Sequence, residues 1–138
     1  MERSSDIELL IRALYESFSN GDPEPAEAMF AGKPDVLMIG TDPEEWWVGR
    51  ETILDRWRNQ LDEMAGFRLE PGAEIRAFSE GDVGWFADQP SFVAPDGSRV
   101  PGRFTAVVHR EAGSWRIVQG HASIGVPNEE AIGPPLST

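Results

Sequence analysis

The residues from Gly102 to Ala131 constrain the fold more than any other part of the chain. In GRFTAVVHREAGSWRIVQGHASIGVPNEEA, two runs of alternating apolar and polar residues flank Ala112-Gly113-Ser114. Alternation with a period of two marks a strand with one buried face, and a short Gly-containing break between two such runs makes a hairpin. A hairpin this long cannot bury its apolar face alone, so it demands further strands and a covering layer. The same period begins at Phe67. Turn signals at Glu80-Gly81-Asp82 and Pro95-Asp96-Gly97-Ser98 then divide the region into four long strands, which predicts an antiparallel meander.

The covering layer is legible upstream. Ser5 and Glu8 have capping-box spacing, Ile7, Leu10, Ile11, Leu14 and Phe18 recur at helical intervals, and Asn20-Gly21 stops the pattern. Asp22-Pro23 offers a fresh cap, so Ala26 to Phe30 is expected to form a second, short helix. The run Asp35 to Gly40 fits a strand, and Asp42 to Trp47 reads as an acidic loop. A third helix follows Gly49, with Ile53, Leu54, Trp57, Leu61 and Met64 on one stripe, and closes at Gly66. Helices first and strands afterwards give an α+β fold, three N-terminal helices packed on a strongly curved antiparallel sheet, in one domain spanning residues 1–138. The tail from Gly133 to Thr138 is expected to be loose.

Charge and composition exclude several functions. Twenty-four acidic residues against twelve basic ones leave a net charge of −12, which argues against nucleic acid or an anionic membrane as partner, because both need a positive footprint. No run approaches the roughly 20 apolar residues of a membrane-spanning helix, and no basic, then apolar, leader opens the chain, so a cytoplasmic location is the default. Cysteine is absent, which removes disulfides and thiolate chemistry. Lys33 is the single lysine, so Schiff-base chemistry has almost no candidate. No His-rich or EF-hand-like spacing occurs, and neither a metal nor a cofactor is expected.

The order of elements, with Asn20-Gly21-Asp22 leading to Met29-Phe30, Gly49 before the third helix, Gly81-Asp82-Val83-Gly84-Trp85, and Gly113-Ser114-Trp115-Arg116-Ile117-Val118 running into His121-Ala122-Ser123, resembles the NTF2-like superfamily and its SnoaL-like proteins. The resemblance implies a cone-shaped cavity between helices and sheet and a homodimer built on the outer sheet face. It does not imply one activity. The ketosteroid isomerases of the superfamily use a carboxylate base with a tyrosine and a protonated aspartic acid as oxyanion hole. Aligned on the Asn20-Gly21-Asp22 turn, this chain has Leu14 at the tyrosine, about Met38 at the base and Ala106 at the second donor. Tyr15 is one residue further round the helix, about 100° away. Ketosteroid isomerisation is therefore not expected.

The remaining polar candidates lie on the last strand, where Gln119, His121 and Ser123 alternate and share one face. If that face looks into the cavity, His121 is the candidate catalytic residue, a general base with near-neutral intrinsic pKa; equally, it could be a hydrogen-bonded wall residue that orders water. The expected lining comprises Met38, Trp47, Trp57, Trp85, Gln89, Phe104, Gln119, His121 and Ser123. By strand parity Asp88 faces out, where Arg103 could pair with it, and His109 also belongs to the outer face. Three readings follow. The chain could bind a small apolar or aromatic molecule; it could be a cofactor-independent lyase, cyclase or isomerase in which His121 acts as base and Gln119 or a Trp indole N–H as oxyanion donor; or it could be a dimerisation domain whose cone is filled by its own side chains.

Overall fold

The protein is described by a computed structural model covering residues 1–138. Helix α1, Ser5–Asn20, begins at Ser4, whose Oγ accepts the Ile7 N–H at 3.2 Å, so the cap is one residue earlier than the spacing suggests. It ends at Gly21 in the left-handed region, φ 62°, with Gly21 N–H bonded to the Phe18 carbonyl. The buried side of α1 holds Ile7, Ile11, Leu14, Tyr15 and Phe18. This stripe is wide, and Tyr15 sits inside it between Ile11 and Phe18 at helical spacing.

The expected second helix is a 3-10 turn, Glu24–Ala28. Pro23 and Pro25 remove donors from so short a segment, and there is no room to propagate an α-helix. Helix α2, Arg50–Glu63, starts after Gly49 at φ 91° and buries Ile53, Trp57 and Leu61. A last short helix α3, Asn128–Ala131, buries no residue and precedes the tail from Gly133. The N-terminal layer is thus two α-helices and a 3-10 turn instead of three helices. No helix is long and apolar enough to cross a membrane.

The nine strands are β1 Glu2–Arg3, β2 Leu37–Ile39, β3 Trp46–Val48, β4 Arg68–Glu70, β5 Arg76–Glu80, β6 Val83–Asp88, β7 Ser91–Val93, β8 Arg99–Glu111 and β9 Ser114–Ile124. The path β1-β5-β6-β8-β9-β2-β3 runs through the curved sheet, with β7 paired to both β8 and β4. The sheet is mixed, because β2 joins β9 in parallel, Leu37 opposite Gln119 and Ile39 opposite His121. The expected four long strands are six; Pro71-Gly72 separates β4 from β5, and Pro90, which has no N–H to donate, separates β6 from β7. Trp46 and Trp47 belong to β3, hydrogen-bonded to β2, and not to a loop.

One irregularity decides which side chains face inward. Val107 pairs with Gln119 but Val108 pairs with Ile117, so Val118 is an extra residue without a partner on β8. Such a bulge shifts the alternation by one residue. Before it Ile117 is buried; after it Gly120 is buried, while Gln119 and His121 are exposed. On β6 the buried positions are Gly84, Phe86 and Asp88. Glycine is required at position 84, since a Cβ there would stand 2.3 Å from Ile7 Cδ1 and 2.9 Å from the Phe78 carbonyl oxygen. One continuous core results, in which Ile7, Ile11, Phe30, Ile53, Phe86 and Ile117 are almost fully buried.

Candidate functional site

Helices α1 and α2 do not close completely on the sheet. Between them, strands β2 and β3 and the β4, β7, β8 and β9 segments lies an open cavity of about 430 Å³. Helix α1 contributes Leu14, Tyr15 and Phe18, helix α2 contributes Trp57, and Met38, Trp47 and Phe104 come from the sheet. Fourteen of the 23 lining residues are hydrophobic, so the interior wall is mainly apolar. Phe67, Phe92, Val100 and Ile124 extend the apolar surface, whereas Glu45, Gln60, Glu63, Arg103 and Ser123 add polar groups to the lining. Gln60 Nε2 reaches Glu45 Oε1 at 3.4 Å.

One buried polar pair lies at and behind the wall. The Tyr15 hydroxyl donates to Asp88 Oδ2 at 3.0 Å, and the Gly72 N–H donates to both Asp88 oxygens at 3.1 Å. Asp88 is only 5% exposed and Tyr15 3%. Burial, reinforced by the neighbouring Asp88 carboxylate and its hydrogen bond, pushes the Tyr15 phenol far above its ordinary value. Tyr15 therefore stays protonated throughout the neutral range. A Cβ at position 72 would stand 2.6 Å from Asp88 Oδ1 and from the Gln89 carbonyl oxygen, so glycine is what lets the backbone close on the carboxylate. Tyr15 forms part of the cavity lining; Asp88 does not.

A second buried chain removes a donor from the cavity. Trp57 Nε1 donates to Ser17 Oγ at 3.3 Å, and Ser17 Oγ donates to the Asp22 carbonyl at 2.6 Å. The Trp57 indole N–H is thus tied to α1 and its following turn, and it does not serve as the oxyanion donor considered from sequence.

Met38, Trp47, Trp57, Phe104 and Ser123 lie in the lining. Four expected lining residues do not. Gln119 and His121 are exposed on the outer face because of the Val118 bulge. Trp85 also faces outward, stacked on Phe78 with ring centroids 6.4 Å apart, and Gln89 is exposed beyond the end of β6. His121 consequently has no access to the cavity as a general base. Asp88 is corrected in the opposite sense: it points inward to Tyr15 and Gly72, and no Arg103 ion pair forms. No group of three His, Asp or Glu side chains converges as a metal site.

The pairing of Tyr15 with Asp88 is not legible in the sequence, for identifiable reasons. The angle from Leu14 alone turns Tyr15 away from the core, whereas Ile11 and Phe18 flank it as neighbours in the buried stripe. The one sequence signal for its partner was Pro71-Gly72, a break whose glycine has a packing requirement.

Comparison with known proteins agrees with this architecture. An NTF2-like protein of unknown function from Pseudomonas putida superposes with a TM-score of 0.79 at 18% identity, covering 96% of this chain and 92% of the other. An uncharacterised cystatin-like protein from Caulobacter vibrioides gives a TM-score of 0.74 at 23% identity, covering 91% and 92%. A candidate dehydratase of the NTF2-like family from Streptomyces avermitilis gives 0.77 at 17% identity, covering 88% and 94%. At these identities the likeness is one of fold. No curated protein matches the sequence at a significant level. The model of the SnoaL-like domain matches residues 7–127, which contain all of α2, all but the first two residues of α1, and every cavity-lining strand. The chain belongs to the SnoaL-like family, and its fold is the NTF2-like one.

Proposed function

We propose that this protein binds a small apolar or aromatic molecule in the cavity between α1, α2 and the sheet. The observation that carries the reading is the cavity itself: about 430 Å³, open to solvent, with a mainly apolar lining that includes the buried Tyr15. That combination of volume, apolar surface and few polar groups is typical of small-molecule sites. A cone filled by its own side chains would leave no such space.

Catalysis on the bound molecule is the second reading. The Tyr15 and Asp88 pair favours it, because a buried carboxylate joined to a phenol can exchange protons with a substrate. The fold likeness to the candidate dehydratase is compatible with it. His121 has no part in this version.

Homodimerisation through the outer sheet face also belongs to the proposal. Trp46 is 61% exposed, Val48 52%, Val83 44% and Val107 38%. Registered pairs place Trp85, Val107, Gln119, Leu37 and Val48 in one row across that face. A second copy covering this row would remove apolar surface from water.

The ligand reading is tested by titrating naphthalene while following tryptophan fluorescence, since Trp47 and Trp57 line the cavity. A saturable change is expected in the wild type. Ala122→Phe, which places a ring in the cavity from the β9 wall, is expected to weaken binding at least about tenfold, equivalent to about 1.4 kcal/mol. A wild-type signal that fails to saturate, or one that Ala122→Phe leaves unchanged, removes the cavity as the site.

A further inference from the structure

Asp88 is buried with no arginine, lysine or histidine within ion-pair distance, so its charge is balanced only by hydrogen-bond donors. Burying a carboxylate in this way is costly, and apolar groups of similar shape usually serve stability as well or better. The consequence for the cavity lies in how the hydrogens are shared. Gly72 supplies a backbone N–H to the carboxylate, and the Tyr15 hydroxyl commits its only hydrogen to Asp88 Oδ2. An ionised carboxylate can only accept, so the direction of this bond is fixed while Asp88 is charged. The Tyr15 oxygen then has lone pairs left and no hydrogen to give, and it makes no other hydrogen bond within the chain.

Resting on the ligand reading above, we infer that Tyr15, oriented by Asp88, makes the cavity selective for ligands carrying a hydrogen-bond donor, such as a phenol, enol or alcohol, over equally apolar ligands that can only accept. This polarity is opposite to that of an oxyanion hole, where the tyrosine gives its hydrogen to the substrate oxygen. A ligand hydroxyl donating to Tyr15 extends the chain ligand O–H to Tyr15 O–H to Asp88 carboxylate, and each link polarises the next. A ketone or ether at the same place meets a lone pair and leaves its own oxygen unsatisfied in an apolar enclosure. Asp88 is here a positioning residue, and Tyr15 makes the contact.

Three probes built on one ring system separate the possibilities: naphthalene, 2-naphthol, and 2-methoxynaphthalene, which accepts but cannot donate. The wild type is expected to bind 2-naphthol about tenfold more tightly than 2-methoxynaphthalene. Tyr15→Phe should abolish that ratio, so that 2-naphthol and 2-methoxynaphthalene bind equally, a loss of discrimination that a purely structural role would not produce. Asp88→Asn provides an independent arm. Gly72 N–H needs an acceptor, so the amide oxygen turns to it and the amide N–H₂ donates to Tyr15, which frees the phenol hydrogen for the cavity; the preference should then fall or reverse. Equal wild-type affinity for the two oxygenated probes, or a preference for 2-methoxynaphthalene, overturns the inference while the cavity reading stands. An Asp88→Asn ratio equal to that of the wild type also overturns it. Failure of all three probes to bind folded wild-type protein sinks both.

Discussion

Replacing Tyr15 with phenylalanine removes one oxygen atom and no carbon, so the change isolates the hydrogen bond from the packing. The ring can keep its place beside Phe104, 6.2 Å away between centroids. What is lost is the bond from the hydroxyl to a carboxylate that is 5% exposed and has no ionic partner. Hydrogen bonds to charged groups contribute about 1.5–3 kcal/mol, and a carboxylate stranded with the Gly72 N–H alone places the cost at the upper part of that range. We therefore expect Tyr15→Phe to lose about 2–3 kcal/mol, from the 5–15 kcal/mol typical of folded proteins. Urea unfolding followed by tryptophan fluorescence at pH 7 would show the midpoint falling by about 1–1.5 M, given a slope of about 2 kcal/mol per M. Tyr15→Phe combined with Asp88→Asn should cost less than the sum of the single changes by about 1–2 kcal/mol, because the two groups are in contact. The pH dependence provides a second check with a definite sign. The folded-state pKa of Tyr15 is raised by burial and Asp88, so its contribution is present below the unfolded tyrosine value of about 10 and is lost as pH climbs beyond it, by up to about 1.4 kcal/mol per pH unit. Tyr15 is the single tyrosine, so its phenolate absorbance reports this group alone and should appear only as the protein unfolds. A cost below about 0.5 kcal/mol, or phenolate forming near pH 10 in folded protein, would refute the reasoning.

Other consequences follow from the placement of the outer face. His121→Ala should leave naphthalene affinity within about twofold and the unfolding free energy unchanged within about 0.5 kcal/mol, as for an exposed site; a tenfold loss of affinity in the titration would move the site to the other face. Val107→Arg, in the middle of the exposed apolar row, should shift sedimentation from dimer to monomer without affecting the melting of the monomer core; a wild type that sediments as monomer at high micromolar concentration contradicts the dimer. Gly84→Ala should lower stability by about 1–3 kcal/mol in the same urea assay, because its Cβ would meet both Ile7 Cδ1 and the Phe78 carbonyl oxygen.

The local signals of this chain were readable and the non-local ones were not. The α1 stripe, its stop at Gly21 and the β8–β9 hairpin around Ala112-Gly113-Ser114 follow from periodicity and turn chemistry alone. The parallel pairing of β2 with β9 joins segments far apart in sequence, and nothing in Leu37-Met38-Ile39 specifies that partner. Parity failed twice for different reasons. On β9 the bulge at Val118 carries no glycine or proline, and the adjacent apolar pair Ile117-Val118 is its only trace. On β6, Trp85 and Phe86 put an aromatic ring on each face, so alternation cannot choose between them; the choice is made by Gly84, where Ile7 packs against the strand. The polar centre was missed along with that choice, since turning β6 over brings Asp88 to Tyr15.

Whether the cavity binds a ligand can be read directly from the four methionines. Met38 and Met64 line the cavity, whereas Met29 is buried elsewhere and Met1 is exposed at the terminus. With ¹³C-labelled methionine methyls, adding 2-naphthol should shift the Met38 and Met64 resonances saturably and leave those of Met1 and Met29 in place. Shifts confined to Met1 or Met29, or no saturable shift at Met38 and Met64 up to the solubility limit of the probe, would contradict binding in the cavity.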